Sequence, residues 1–136
     1  MADTFLLEIV TPYRKLLSQE VEEMTATGQE GEFGVLAGHS PFLTILKPGE
    51  ISYKKGSESG MLAISRGYAE VLPDKTTILV DSAEMANEID AEAARRDLAK
   101  AEEALKGLTT DDAAYQSASD AYELAQAKLR VKEKRG

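Results

Sequence analysis

The chain has 136 residues, 16 basic against 24 acidic side chains, a formal net charge of −8 and no cysteine. That length allows one domain or a compact domain with an appendage, and the missing cysteines exclude disulfide scaffolds and thiolate metal sites. Net acidity argues against a nucleic-acid partner, which would require Lys and Arg offered to phosphates. Hydrophobic residues make up 43% of the chain, but Trp is absent and aromatics are only 6%, so a mostly aliphatic core is expected. No apolar run approaches the roughly 20 residues that span a bilayer. Met1-Ala2-Asp3-Thr4 lacks the basic-then-apolar profile of a secretory signal. A soluble, intracellular protein without direct membrane insertion is the expectation.

The chain divides into two segments with different periodicity, residues 1–86 and 87–136. Thr4 to Thr11 places Phe5, Leu7 and Ile9 on one face of a strand, which Pro12 ends because it has no N–H for a ladder. Val21 to Thr27 is the next candidate, and Gly28, Gly31 and Gly34 then bracket a turn-rich connection. Val35-Leu36, Phe42 to Leu46, Glu50 to Tyr53, Met61 to Ile64, Tyr68 to Leu72 and Thr76 to Asp81 follow. Pro48-Gly49, Gly56, Gly60, Gly67 and Pro73-Asp74 punctuate them. Short strands at roughly 8–12-residue spacing with turn signals between them predict an antiparallel β-sandwich or barrel.

From Ala83 to Ala127 the chain is rich in Ala, Glu and Lys, contains no Pro and has one Gly, at 107, which predicts a helical segment interrupted once. Asp90 is placed to cap a first helix whose small and apolar positions are Ala91, Ala94, Leu98, Ala101 and Leu105. Gly107 is expected as a left-handed terminator, and Thr109-Thr110-Asp111-Asp112 as caps and N-terminal charge for a second helix. The second stripe is Tyr115, Ala118, Tyr122, Ala125 and Leu129. Two matched stripes joined by a short connection form an antiparallel helical hairpin. Its Ala-rich seam forfeits apolar burial, at about 25 cal/mol per Å², so its hold on itself and on the strands is expected to be modest.

Gly28 to Thr44, GQEGEFGVLAGHSPFLT, is the most specific string in the chain. It resembles a Gly-Glu-apolar-Gly-apolar-apolar-x-Gly-His-x-Pro-apolar-Leu segment of the epsilon subunits of F-type ATP synthases, matching at Glu32, Gly34, Gly38, His39, Pro41 and Leu43. The resemblance continues through FLLEIVTPYRKLLSQEVEEM near the start, RGYAEVLPDKTTILVD, Ile89-Asp90 and Leu129-Arg130-Val131. It implies a sandwich of about ten strands and a two-helix C-terminal unit, the arrangement that periodicity gives independently. It further implies a non-catalytic rotor subunit of the central stalk, bound to the gamma subunit and the ring of c subunits and coupling proton flow to ATP synthesis. In many bacteria of this family the C-terminal helices restrain ATP hydrolysis.

Residue by residue, the resemblance places Glu32, Gly38 and His39 at the c-ring contact. It places Arg95, Arg96, Lys100, Lys128, Arg130 and Lys132 against acidic surfaces of the beta and alpha subunits once the hairpin opens. The location it implies is peripheral, on the cytoplasmic face of the bacterial inner membrane. Some members bind regulatory ATP through an Ile/Leu-Asp-x-x-Arg-Ala motif; Ile89 and Asp90 match, with Arg96 and Lys128 as further candidate nucleotide contacts. The motif arginine is Ala93 here, and alanine cannot replace a guanidinium fork. Apart from that possible regulator, no cofactor is implied.

Other readings of the same residues carry less. His39 is the only histidine, which excludes a histidine-rich metal site, and no G-x-S-x-G elbow accompanies it. The glycines at 28, 31, 34 and 38 lack the Lys-Ser/Thr of a phosphate loop and read as turn glycines. From Lys128 to Gly136 the chain carries five basic residues and one acid, Glu133; a basic helix end also answers the helix dipole. From the residues alone, a free-standing sandwich module with a dimerising hairpin, or a small hydrolase dependent on His39, stays open.

Overall fold

A computed structural model describes residues 3–135; the outermost ends of the two expected segments, Met1, Ala2 and Gly136, lie outside the described residues. Ten strands come first: β1 (Phe5–Val10), β2 (Lys15–Val21), β3 (Glu23–Gly28), β4 (Gly31–Leu36), β5 (Phe42–Leu46), β6 (Gly49–Lys55), β7 (Glu58–Ile64), β8 (Gly67–Val71), β9 (Lys75–Val80) and β10 (Ala83–Met85). A single 3-10 turn at Ala86–Glu88 leads into α1 (Ala91–Lys106) and α2 (Tyr115–Arg135).

The strands pair in the order β10-β7-β6-β3-β5-β8-β9-β1-β2, with β4 on the other edge of β3. β3 and β5 share only the pair Gly28↔Leu46, and there one layer of the sandwich passes into the other. The expected antiparallel pairing holds with one exception: β1 runs parallel to β9, Ile9 opposite Ile78. Both layers turn their alternate residues inward. Phe5, Leu7 and Ile9 of β1 meet Met24, Val35, Ile51, Leu62, Ile64, Val71 and Ile78 in one aliphatic cluster, each fully buried. Each such side chain contributes about 1.5–3 kcal/mol through removal from water.

Several local expectations are corrected. β2 occupies Lys15–Val21, where no strand was expected; it is an edge strand with adjacent Leu16 and Leu17, and its pairing with β1 slips between Ile9 and Val10, so clean alternation is lost. The connection expected around Gly31 and Gly34 is strand β4, because Phe33 and Val35 alternate toward the core while Gly34 stands opposite Thr25. Gly60 lies within β7, opposite Tyr53. Gly67 opens β8 because of close approach: a Cβ there would collide with the Leu79 carbonyl oxygen and Val80.

The helical half begins later than composition suggests. Ala83–Met85 adds to the edge of β7, with Met85 opposite Leu62, so pairing overrides helix propensity. α1 starts after Asp90, whose Oδ1 accepts from the Ala93 N–H at 3.1 Å, as expected of an N-cap. Gly107 ends α1 at φ −98°, without a left-handed turn. Asp112 does not cap α2: its Oδ2 accepts from the Thr109 N–H at 2.8 Å inside the connection, and no acid lies in the first turn of α2. Of the two stripes, Ala94, Ala101 and Ala125 are buried at the helix contact.

Candidate interaction surfaces

The second buried face of α2 has no counterpart in the stripe reading. Ala127 and Val131 lie on Ala63 of β7, Ala86 and Ile89, with Met61 and Leu124 packed around them. Helix α2 is thus docked on the outer face of the β6–β7 layer by mostly small side chains. Charged contacts surround this apolar patch. Arg66, between β7 and β8, donates through Nε and Nη2 to the two carboxylate oxygens of Asp120 at 2.9 and 3.0 Å. Those bonds raise the guanidinium pKa above its ordinary value. Lys128 pairs with Glu84 at 2.8 Å, and Arg130 and Lys134 each stand 3.5 Å from an oxygen of Glu50. Lys132 Nζ reaches the Ala86 carbonyl at 3.4 Å, and Arg135 donates to Ser59 Oγ at 2.6 Å. Arg14 on the β1–β2 turn bonds Glu88 at 3.0 Å; the Met85 N–H first, then Arg14, hold the Glu88 carboxyl below its usual value.

The basic residues singled out in the sequence therefore divide. Lys128, Arg130 and Lys132 are engaged with the sandwich, while on α1 Arg95 pairs with Glu92 at 2.6 Å, and Arg96 and Lys100 are exposed. The candidate nucleotide contacts are not gathered into one place. Ile89 is 3% exposed under α2, Asp90 caps α1, and Lys128 meets Glu84. A groove of about 470 Å³ between the helices is lined by Lys100 and Lys128 but not by Ile89, Asp90 or Arg96.

Glu32 lies near the start of β4 and His39 beyond its end. Glu32 lies opposite Thr27 near the β3–β4 turn. His39 follows the far end of the strand, its Nδ1 2.8 Å from the Ser40 carbonyl and its ring 5.1 Å from that of Phe42. Glu32 lies four residues before the end of β4, about 14 Å at about 3.4 Å per residue, and the His39 N–H donates to the Leu36 carbonyl at 3.2 Å in the turn beyond, so the two stand toward opposite ends of a sheet edge and not on one loop tip. Gly38 has φ +80°, a region unfavourable to side-chain-bearing residues, and its N–H donates to the Pro73 carbonyl at 2.7 Å. This bond ties the β4 exit to the β8–β9 turn.

A further surface escaped the sequence reading. On the outer face of the second layer, Ile45 lies opposite Tyr68, Tyr68 opposite Leu79, and Leu79 opposite Val10. Tyr68 is 53% and Leu79 49% exposed, and neighbouring Leu43 is 70% exposed. A groove of about 700 Å³ runs along this row and ends at Arg66 and Asp120. The available signal was in β5: FLTIL is apolar at both alternations, so one of its faces had to leave apolar residues outside the core.

The fold is an aliphatic sandwich with an exposed apolar row, an outer β4 edge unpaired among the described residues, and a helical hairpin fastened to it by charges. Residues 4–86 match the family described as ATP synthase, Delta/Epsilon chain, beta-sandwich domain. The chain is 52% identical over 131 residues to the ATP synthase epsilon chain of Geobacter metallireducens, covering 96% of this chain and 95% of that one. It is 52% identical over 136 residues to the ATP synthase epsilon chain of Geotalea daltonii, covering 100% and 99%. Among solved structures, a chain of the Euglena gracilis mitochondrial ATP synthase, in an assembly of OSCP, F1 and c-ring, superposes with a TM-score of 0.76 at 28% identity, covering 93% of this chain and 79% of that one. A chain of the Tetrahymena thermophila mitochondrial ATP synthase central stalk and c-ring shares the fold, with a TM-score of 0.59 at 19% identity, covering 98% and 96%. The chain belongs to the delta/epsilon family of ATP synthase subunits and carries that family's β-sandwich followed by two helices.

Proposed function

We propose that the chain is a non-catalytic rotor subunit of the central stalk that couples proton translocation to ATP synthesis. The apolar row Ile45–Tyr68–Leu79–Val10 docks the gamma subunit. The observation that carries this reading is that Ile45, Tyr68 and Leu79, each exposed, stand opposite one another across adjacent strands, since contiguous exposed apolar surface marks a protein contact. The edge of β4, with Glu32 at one end and Gly38-His39 at the other, faces the polar loops of the c ring. Its working place is peripheral, on the cytoplasmic face of a bacterial inner membrane. No described helix is long and apolar enough to cross a bilayer.

The hairpin is the regulatory element. Closed, it lies on the sandwich; released, α2 carries Lys128, Arg130 and Lys132, with Arg95, Arg96 and Lys100 on α1, to acidic surfaces of the beta and alpha subunits and restrains ATP hydrolysis. The division at residue 86 then separates an attachment unit from a brake. Substituting Tyr68→Asp together with Leu79→Asp is expected to abolish co-purification with gamma while leaving the thermal melt within a few degrees of the parent, because both side chains are half exposed. Gamma binding of undiminished strength would overturn the docking assignment. Deleting residues 87–136 is expected to raise hydrolysis in assembled enzyme, and unchanged hydrolysis at several ATP concentrations would remove the brake. Glu32→Lys is expected to weaken assembly with the membrane sector more than it lowers the melting temperature; equal losses would contradict the c-ring contact.

A further inference from the structure

We propose that the face of α2 docked on the sandwich is a charge-ordered recognition surface, held in register by two ionic clasps of opposite polarity and released by ionic strength. In the first clasp the helix is the anion: Asp120 takes the bidentate bonds of Arg66, and Glu123 stands 3.9 Å from Lys47. In the second the helix is the cation: Lys128 meets Glu84, and Arg130 and Lys134 share Glu50. From Asp120 to Lys134 the helix rises about 21 Å, so the two clasps grip opposite ends of one docked face.

Polarity does what the apolar contact cannot. Ala127 and Val131 on Ala63, Ala86 and Ile89 bury little area and would accept a shifted helix almost equally well. The charges would not. A helix laid in the reverse direction would set Lys128 and Lys134 against Arg66 and Lys47, and Asp120 against Glu50. Beside the 2.8 Å Lys128–Glu84 pair, the Glu50 part of the second clasp is loosely built: Glu50 Oε2 is buried without a hydrogen bond among the described residues, and its two cations stand at ion-pair distance. Attraction of that kind is Coulombic and falls as salt shortens the screening length.

A partner able to take α2 from the sandwich must repeat the same order, a basic site for the Asp120–Glu123 turn and, about 14 Å further along, an acidic site centred on Lys128 to Lys134. This consequence rests on the hairpin-release reading above; the clasps do not.

The chain has no cysteine, so Lys55→Cys and Ala121→Cys, both exposed and outside the clasps, admit a donor and an acceptor dye on the full-length protein. Raising salt from about 0.05 M to about 0.5 M is expected to shift the closed-to-released ratio at least about fivefold toward release. Arg66→Gln with Glu50→Gln should give the same shift at low salt, and the exchange Arg66→Asp with Asp120→Arg should restore closure. Energy transfer indifferent both to salt and to loss of the two sandwich charges would overturn the proposal. If a variant loses its strand circular dichroism, the salt series on the parent sequence decides alone. Release by salt with hydrolysis unmoved by deletion of 87–136 sustains the clasps and removes the brake; indifference to salt with hydrolysis raised by that deletion does the reverse.

Discussion

Arg66 and Asp120, 54 positions apart, form a bidentate ion pair that fastens the helical hairpin to the sandwich, at 2.9 and 3.0 Å. A guanidinium fork matched to a carboxylate holds both groups in a fixed geometry, which a single lysine contact does not. Both side chains keep some solvent contact, 35% for Arg66 and 25% for Asp120, so screening removes part of the attraction. A double-mutant cycle with Arg66→Ala and Asp120→Ala in urea unfolding is expected to return a coupling of about 1 kcal/mol. A coupling indistinguishable from zero would mean that the fork is ornamental to docking.

The sandwich is expected to fold without α1 and α2. A chain ending at Glu88 keeps β10 on the edge of β7 and the whole aliphatic cluster, and loses the cover over Ala63 and Met61. At about 25 cal/mol per Å², exposing on the order of 100 Å² of apolar surface costs roughly 2–3 kcal/mol, a fraction of a domain's stability. A single cooperative thermal transition, lower than that of the full chain, is the expected result. A fragment that melts without a transition would place the helices in the folding core.

What the sequence disclosed follows from which interactions are local. Phe5, Leu7 and Ile9 announce β1 because strand alternation is written in adjacent residues, and Asp90 announces α1 because a cap acts three residues away. The Gly28 to Thr44 string pointed to the family but not to its local shape: Gly34 looks like a turn residue until Phe33 and Val35 are seen to enter the core on either side. β10 was hidden for the opposite reason, since Ala83, Glu84 and Met85 favour a helix and only the open edge of β7 makes them a strand. The docking of α2 was illegible throughout. Its docked face, Leu124, Ala127 and Val131, falls outside the alanine stripe that suits a bare hairpin. Its ion pairs join residues such as Glu50 and Arg130, whose separation carries no periodic signal.

Thr76 offers a gain in stability. It is fully buried on the inner face of β9, and its Oγ1 has no hydrogen-bond partner among the described residues. A hydroxyl removed from water without a partner keeps its desolvation penalty, whereas valine fills nearly the same shape without one. Thr76→Val is expected to stabilise the chain by about 1 kcal/mol in urea unfolding. A loss of that size would show that the hydroxyl is satisfied in solution by a buried water.

Glu8 sets an acid limit on the sandwich. It is only 8% exposed on β1, where Oε2 accepts from Lys15 at 2.8 Å and Oε1 from Lys75 at 3.0 Å. The Lys15 hydrogen bond first, then that of Lys75, outweigh desolvation and lower its pKa from an ordinary 4.5 to about 2. A carboxylate whose pKa falls on folding gives stability that is fully present above the unfolded value and lost as pH falls toward the folded one. The window here runs from pH 4.5 down to about 2. Glu88 and Glu92 are shifted in the same direction, so the whole chain will weaken in acid and the Glu8 share must be isolated. Glutamine at position 8 mimics the protonated acid. The stability difference between the parent and Glu8→Gln is therefore expected to stay level from neutral pH to about 4.5 and to shrink steadily below it. A difference that persists undiminished to the acid end of the series would show that Lys15 and Lys75 are not the source of the stabilisation.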